Sequence, residues 1–116
     1  MLMFKALCSI AAIASCAFAA PATAQALTPR AVKVAPDTYM VQGVSALGSS
    51  ANRNFISNAA FVVTPQGVRV VDALGSPALA LELLAEIRRI TSAPVRYVVV
   101  THYHADHIYG LQAFKD

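Results

Sequence analysis

A helical pattern lying between two apolar strand patterns is the feature that most constrains the fold of this chain. Residues 68–71 read as a strand, Ser76 is placed to cap a helix, and Pro77 suits the first helical turn. Beyond them, apolar side chains recur at spacings of four, four and three, which is typical of an amphipathic helix. These apolar positions are Leu79, Leu83, Ile87 and Ile90, while Glu82, Glu86 and Arg89 fall on the other side.

The segment after this helix, residues 95–101, is apolar at nearly every position from residue 97. Such a strand is predicted to be buried on both faces, as in a parallel or mixed sheet that carries packed helices. Upstream, residues 59–63 and 68–71 predict a hairpin, because Pro65 and Gly67 suit its turn. Further strands are predicted at residues 31–34 and 38–41. The order of elements predicts a layered α/β or α+β fold.

A long polar segment, residues 43–54, separates the first strands from the hairpin. It is rich in Gly, Ser and Asn and has neither a helical nor an alternating period. Loops of about this length are often functional, so two interpretations stand: a lid that faces a substrate, or a mobile surface hairpin.

The first 26 residues are predicted to be a secretory signal peptide. Lys5 supplies the positive charge, residues 6–20 form an uncharged run of 15 residues, and Pro21 precedes a stretch of small residues. Cleavage is expected after Ala26, with Ala24 as the second site, which leaves residues 27–116 as a partial domain exported to the bacterial periplasm. A membrane anchor would need about 18 or more apolar residues. A lipoprotein acylated at Cys16 is a minor alternative.

Composition narrows the function classes. The chain is 57% apolar and only 13% charged, which excludes a disordered protein. The formal charge of +3 comes from basic residues scattered along the chain, so no nucleic-acid or polybasic membrane surface is predicted. Both cysteines, Cys8 and Cys16, lie in the predicted signal peptide. The exported part therefore offers no thiol nucleophile or ligand.

All three histidines lie within six residues, directly after the apolar strand. His102 and His104 alternate, so in an extended segment their imidazoles point the same way. Asp106 continues the series, and a turn after it brings His107 around from another side. Imidazole and carboxylate ligands suit Zn²⁺ and also Fe or Mn. Four ligands so close in sequence favour two adjacent ions, and sites in open α/β sheets lie at the carboxyl ends of strands.

The segment from His102 to His107, followed by Gly110, resembles the metal-binding signature of the metallo-β-lactamase superfamily. The upstream residues 58–63 and 67–72 resemble the opening strands of that αββα fold. The resemblance implies that His102 and His104 bind a first zinc ion. It implies that Asp106 and His107 bind a second one, and that Asp106 also acts in catalysis by orienting a metal-bound hydroxide.

Asp72 matches an acidic position that supports the metal loop of the family from behind, and its alternative role is that of a turn residue that ends a strand. His107 resembles the residue found in glyoxalase II, in lactonases, in one β-lactamase subclass, and in exported hydrolases linked to sulfur oxidation or quinoprotein systems. The export signal favours the last two groups.

The resemblance implies a hydrolase that attacks an ester, thioester, lactone or β-lactam carbonyl of a small molecule. A metal ion lowers the pKa of its bound water from 15.7 to about 7, which supplies hydroxide at neutral pH. Two alternatives stay open: an iron-dependent oxidoreductase on the same fold, and a protein that binds metal without catalysis.

The remaining ligands of the family lie downstream of the motif, in a second half of the fold. We therefore expect this chain to be the N-terminal part of a longer protein. The gene is expected to encode a further histidine, an aspartate and a final histidine beyond codon 116, which sequencing would reveal. A stop codon directly after Asp116, with a stable and soluble product, would contradict this expectation.

Overall fold

The computed structural model describes residues 27–115, so the predicted signal peptide lies outside the described residues. Within that range no helix is long and apolar enough to cross a membrane. The elements are β1 Ala31–Ala35, β2 Thr38–Val41, β3 Ala59–Thr64, β4 Gly67–Val71, α1 Pro77–Ile90, β5 Val95–Val99, α2 Ala105–Ile108 and a 3₁₀ helix Tyr109–Phe114.

The five strands form one mixed sheet in the order β1-β2-β3-β4-β5. The first four strands pair antiparallel in sequence order, whereas β5 pairs parallel with β4 after the crossover through α1. Gly67 closes the turn between β3 and β4 with a φ of +124°, a conformation that favours glycine. The predicted layered fold and the predicted hairpin are confirmed.

Helix α1 packs its apolar side against one face of the sheet. Its cap is the predicted one, since Ser76 Oγ accepts a hydrogen bond from the Leu79 amide at 3.2 Å and Pro77 begins the helix. Leu79 and Leu83 are fully buried with Phe61 of the sheet. Full burial of such side chains stabilises a fold by about 1.5–3 kcal/mol each. The core therefore lies between α1 and the sheet, and it fixes the position of β4 and β5.

The prediction that the strand of residues 95–101 is buried on both faces is wrong for the described residues. Strand β5 ends at Val99, and Tyr97 and Val99 are 62% and 52% exposed. Among residues 27–115, β5 has β4 as its only neighbour in the sheet, and α1 covers one face. An apolar pattern reports side-chain chemistry, and it does not say which layers surround the strand.

Directly after the first two histidines the chain forms a short helix, Ala105–Ile108. From Tyr109 the chain tightens into a 3₁₀ helix, because the Gly110 amide donates to the Leu74 carbonyl at 3.0 Å. This contact takes Gly110 out of the i to i−4 ladder of an α-helix. Asp106 and His107 therefore lie on a single helical turn that is attached to the loop after β4.

The long loop of residues 43–54 folds around Asn52, which is 9% exposed. Its side chain accepts hydrogen bonds from the amides of Ser49 and Asn54 and donates to the Leu47 carbonyl. Arg53 pairs with Glu82 of α1. The loop is thus a hydrogen-bonded turn at the surface that is tied to the helix, and both interpretations, a lid that faces a substrate and a mobile surface hairpin, stay predictions.

The assignment of Glu86 to the side of α1 away from the sheet is wrong. Glu86 is only 6% exposed, and its carboxylate accepts a hydrogen bond from the Ala31 amide at 2.9 Å. Arg89 donates two further bonds, and Arg30 lies 3.3 Å away. The carboxylate accepts the hydrogen of a backbone amide on the edge strand β1. Glu86 therefore faces the sheet and connects α1 to β1.

Replacing Glu86 is expected to destabilise the fold. In Glu86→Gln the amide group cannot accept all the bonds from Ala31, Arg30 and Arg89, which leaves part-buried donors unpaired at a cost of about 1–3 kcal/mol. The free energy of unfolding from urea titration measures this change. Glu82→Gln is the matched control, because its pair with Arg53 is exposed and is expected to matter less.

The same pair of variants tests the pH dependence. The hydrogen bond from Arg89 holds the pKa of Glu86 below its ordinary value of 4.5. A depressed pKa in the folded state means that the contribution is complete above pH 4.5 and falls as the pH drops through the folded-state pKa. The difference in the free energy of unfolding between the wild type and Glu86→Gln should therefore become smaller as the pH falls below 4.5. A constant difference in the free energy of unfolding between pH 7 and pH 3 would contradict this assignment.

Candidate metal centre

The histidine motif lies at the carboxyl edge of the sheet, where the parallel strands β4 and β5 end side by side. The Asp72 amide donates to the Val99 carbonyl at 2.8 Å, which continues the parallel ladder one residue past β4. Asp72 then turns away with a φ of 62°, in the left-handed region. Because both strands end at this edge, Asp72 and the segment after β5 are brought together, as sites in open α/β sheets require.

The Asp72 carboxylate is buried and joins three donors. Its Oδ1 accepts the Thr101 amide at 2.8 Å, and its Oδ2 accepts the Thr101 hydroxyl at 2.7 Å. The same Oδ2 lies 2.8 Å from His107 Nδ1. Burial raises the pKa of Asp72, but the bonds from Thr101 and His107 lower it by more, so the net pKa is below the ordinary value. Asp72 therefore lies behind the motif and hydrogen-bonds to Thr101 and His107, while its role in supporting a metal loop stays a prediction.

His102 and His104 form a pair of candidate metal ligands, called here the first donor pair. His102 Nε2 lies 3.1 Å from His104 Nδ1, and the two rings meet edge to face with centroids 4.6 Å apart. Both side chains are exposed, so their nitrogens converge at a point open to solvent.

Asp106 and His107 form another pair of candidate metal ligands, the second donor pair. His107 Nε2 lies 3.4 Å from Asp106 Oδ2, and both side chains are only partly exposed. The His107 ring also lies beside the His102 ring, with centroids 4.1 Å apart. The two pairs therefore adjoin, and the structure groups the four predicted ligands two by two.

The spacing of each pair suits a metal ion. Two ligands at the usual Zn–N distance of about 2.0–2.1 Å and at a tetrahedral angle are separated by about 3.3 Å. The observed separations of 3.1 Å and 3.4 Å lie close to that value. Within residues 27–115, no group of three or more histidine, cysteine or acidic side chains is arranged to hold an ion. The donor set fits a metal in chemistry and in pairwise spacing, and the ligand assignment stays a prediction.

Two hydrogen bonds to the backbone of the motif were not predicted from the sequence. Ser57, which is 4% exposed, donates its hydroxyl to the carbonyl of Asp106. The Ala73 amide donates to the carbonyl of His107 at 2.9 Å. Both bonds hold the backbone of the turn that carries the second donor pair. Neither has a sequence signal, because a serine before a strand and an alanine after one are common.

Gly110 is the closest contact between this turn and the loop after β4. A Cβ atom at Gly110 would overlap the carbonyl oxygen of Ala73 and press on Ala80 of α1. The sequence shows a glycine at this place in the motif, and the structure gives the reason: two backbones meet there without room for a side chain.

With this geometry established, comparison with known proteins identifies the class. Residues 52–116, more than half of the chain, match the family model of the metallo-beta-lactamase superfamily. The chain belongs to this superfamily.

Among characterised proteins, the linear primary-alkylsulfatase of Pseudomonas sp. (strain ATCC 19151) is 40% identical over 53 residues, which cover 46% of this chain and 10% of that protein. Among solved structures, the stereoselective inverting sec-alkylsulfatase Pisa1 from Pseudomonas sp. and a double mutant of PisA1 each superimpose with a TM-score of 0.59 at 23% identity. They cover 76% of this chain and 12% of theirs, so the likeness shows a shared fold. The chain spans about a tenth of the length of these relatives.

Substituting Gly110 should disturb both the fold and the donor pairs. In Gly110→Ala, the overlap with the Ala73 carbonyl forces the turn away from the β4 loop, at a cost of about 1–3 kcal/mol. We expect a lower melting temperature and displaced side-chain NMR signals of His107. Unchanged His107 signals and an unchanged melting temperature would show that the two backbones are not in close contact.

Proposed function

We propose that this chain belongs to an exported, metal-dependent hydrolase that cleaves an ester of a small molecule. The observation that carries the proposal is the arrangement of the two adjoining donor pairs at the carboxyl edge of the sheet, in a member of the metallo-beta-lactamase superfamily. The alkylsulfatase relatives favour a sulfate ester of an alkyl chain over the carbonyl substrates expected from the motif.

The residues that would hold the metal are those of the two pairs. His102 and His104 would hold a first ion, and Asp106 and His107 a second one; zinc suits this mixed set of nitrogen and oxygen donors best. When bound, such an ion acts as a Lewis acid and lowers the pKa of water toward neutrality.

The remaining chemistry belongs to the side chains of this chain. The Asp106 carboxylate is partly exposed and lies 3.4 Å from His107 Nε2. Its Oδ2 can accept a hydrogen bond from an attacking water and so orient that water toward the ester. Asp72, buried behind His107, keeps the His107 ring in one orientation, since it holds Nδ1 and leaves Nε2 turned toward Asp106.

Export is part of the same proposal. The predicted signal peptide, residues 1–26, would direct residues 27–116 to the periplasm, where no cysteine ligand is needed because histidine and aspartate supply the donors. A lipoprotein attached through Cys16 is the minor alternative.

The experiment compares hydrolysis of a linear alkyl sulfate, a secondary alkyl sulfate, a thioester, a lactone and a β-lactam by the protein produced from its full gene. His104→Ala removes half of the first donor pair and is expected to lower kcat/KM by at least about 100-fold, because even the loss of a group that only orients a ligand lowers metal affinity or activity by about 10–100-fold. Lys33→Ala on the distant strand β1 is the control and should leave kcat/KM unchanged.

Metal dependence is tested on the same preparation. Activity should disappear on treatment with a chelator and return with Zn²⁺, and additions of Fe²⁺ and Mn²⁺ show which ion serves best. Hydrolysis that survives both His104→Ala and the chelator would overturn the proposed function. Redox turnover restored by Fe²⁺ alone would favour the iron oxidoreductase.

A further inference from the structure

The hydroxyl of Thr101 lies between the Asp72 carboxylate and the ring of His102. Thr101 Oγ1 is 2.7 Å from Asp72 Oδ2 and 2.9 Å from His102 Nδ1. We propose that Thr101 is a positioning residue that fixes the tautomer and the orientation of His102, and so links the first donor pair to the carboxylate that holds the second.

The number of available hydrogens decides the direction of each bond. A carboxylate only accepts, so the single hydroxyl hydrogen of Thr101 goes to Asp72. Thr101 Oγ1 can then only accept, which requires the hydrogen of the His102 ring to be on Nδ1. The lone pair of neutral His102 is therefore on Nε2, the atom that lies 3.1 Å from His104 Nδ1.

The same count applies to His107. Its Nδ1 faces the Asp72 carboxylate at 2.8 Å and must carry the hydrogen, which leaves the Nε2 lone pair facing Asp106. One carboxylate thus sets the tautomers of two histidines that belong to different donor pairs. It acts directly on His107 and through Thr101 on His102.

The position of Thr101 itself is fixed at two points. Its amide donates to Asp72 Oδ1 at 2.8 Å while its hydroxyl donates to Oδ2, so both oxygens of the carboxylate hold one residue. Thr101 is exposed and packs in no core, so its substitution removes no buried apolar contact. A hydroxyl at this position is what the arrangement needs, and serine would supply it.

The first test reads the tautomer without metal. Long-range ¹H–¹⁵N NMR of the metal-free protein at a pH where the imidazoles are neutral reports which ring nitrogen of each histidine carries hydrogen. Wild type and Thr101→Ser should show His102 with hydrogen on Nδ1, whereas Thr101→Val and Thr101→Ala should show a mixture or the Nε2 form. Thr38→Val, which loses only a turn bond to Pro36, is the matched control.

The second test rests on the proposed function and measures Zn²⁺ affinity by competition with a chromophoric chelator. Loss of a group that orients a ligand typically weakens metal binding by about 10–100-fold. Thr101→Val and Thr101→Ala should show that loss, and Thr101→Ser should recover most of the wild-type affinity. Thr38→Val should bind as the wild type does.

The outcomes separate the two proposals. If His102 keeps hydrogen on Nδ1 in both Thr101→Val and Thr101→Ala, or if Thr101→Ser behaves like them, the role of Thr101 is overturned. If no variant and not even the wild type binds Zn²⁺, the proposed function fails, and the tautomer comparison in the metal-free protein still decides the role of Thr101. The alanine variant serves where the valine methyl group prevents folding.

Discussion

The Asp72 carboxylate is the interaction on which the site depends. It lies just past β4, and its oxygens accept from the amide and hydroxyl that follow β5 and from the ring of His107. A parallel pair of strands places these groups within reach, because both strands end at the same edge. The crossover through α1 makes that pair, so the helix core determines the site although α1 contributes no ligand to it.

The loop after β4 adopts its shape against local backbone preference. Asp72 and Leu74 both have left-handed φ angles, 62° and 65°, which non-glycine residues rarely adopt. Such a conformation costs about 1–3 kcal/mol per residue and persists only where the surroundings hold it. Here the fully buried Leu74 side chain and its carbonyl bond to Gly110 offset the cost. This unfavourable backbone conformation occurs at Asp72, whose carboxylate hydrogen-bonds to Thr101 and His107 of the motif segment.

Features with local causes were predictable from the sequence. The Ser76 cap, Pro77 at the helix start and the Gly67 turn each follow from a residue and its immediate neighbours. The assignment of Glu86 failed for the opposite reason: its partners Ala31 and Arg30 are more than fifty residues away in sequence. Helical periodicity gives only the angle of a side chain around the helix axis. An acidic residue at the border of the apolar face can be buried when residues distant in sequence donate hydrogen bonds to it, as Ala31 and Arg30 do here.

The same distinction explains the candidate site. The spacing of the motif predicted which side chains lie close together at the edge of the sheet, since alternation and a following turn are local properties. It could not indicate Ser57 or Thr101, because a hydroxyl acquires a role only from the group opposite it, here the Asp106 carbonyl and the Asp72 carboxylate. The four candidate ligands come from one segment, but that segment is held by Ser57 before β3 and by Asp72 and Ala73 in the loop between β4 and α1. A transplanted motif without Asp72 would thus keep its four candidate ligands and lose the hydrogen bonds that orient His107 and, through Thr101, His102.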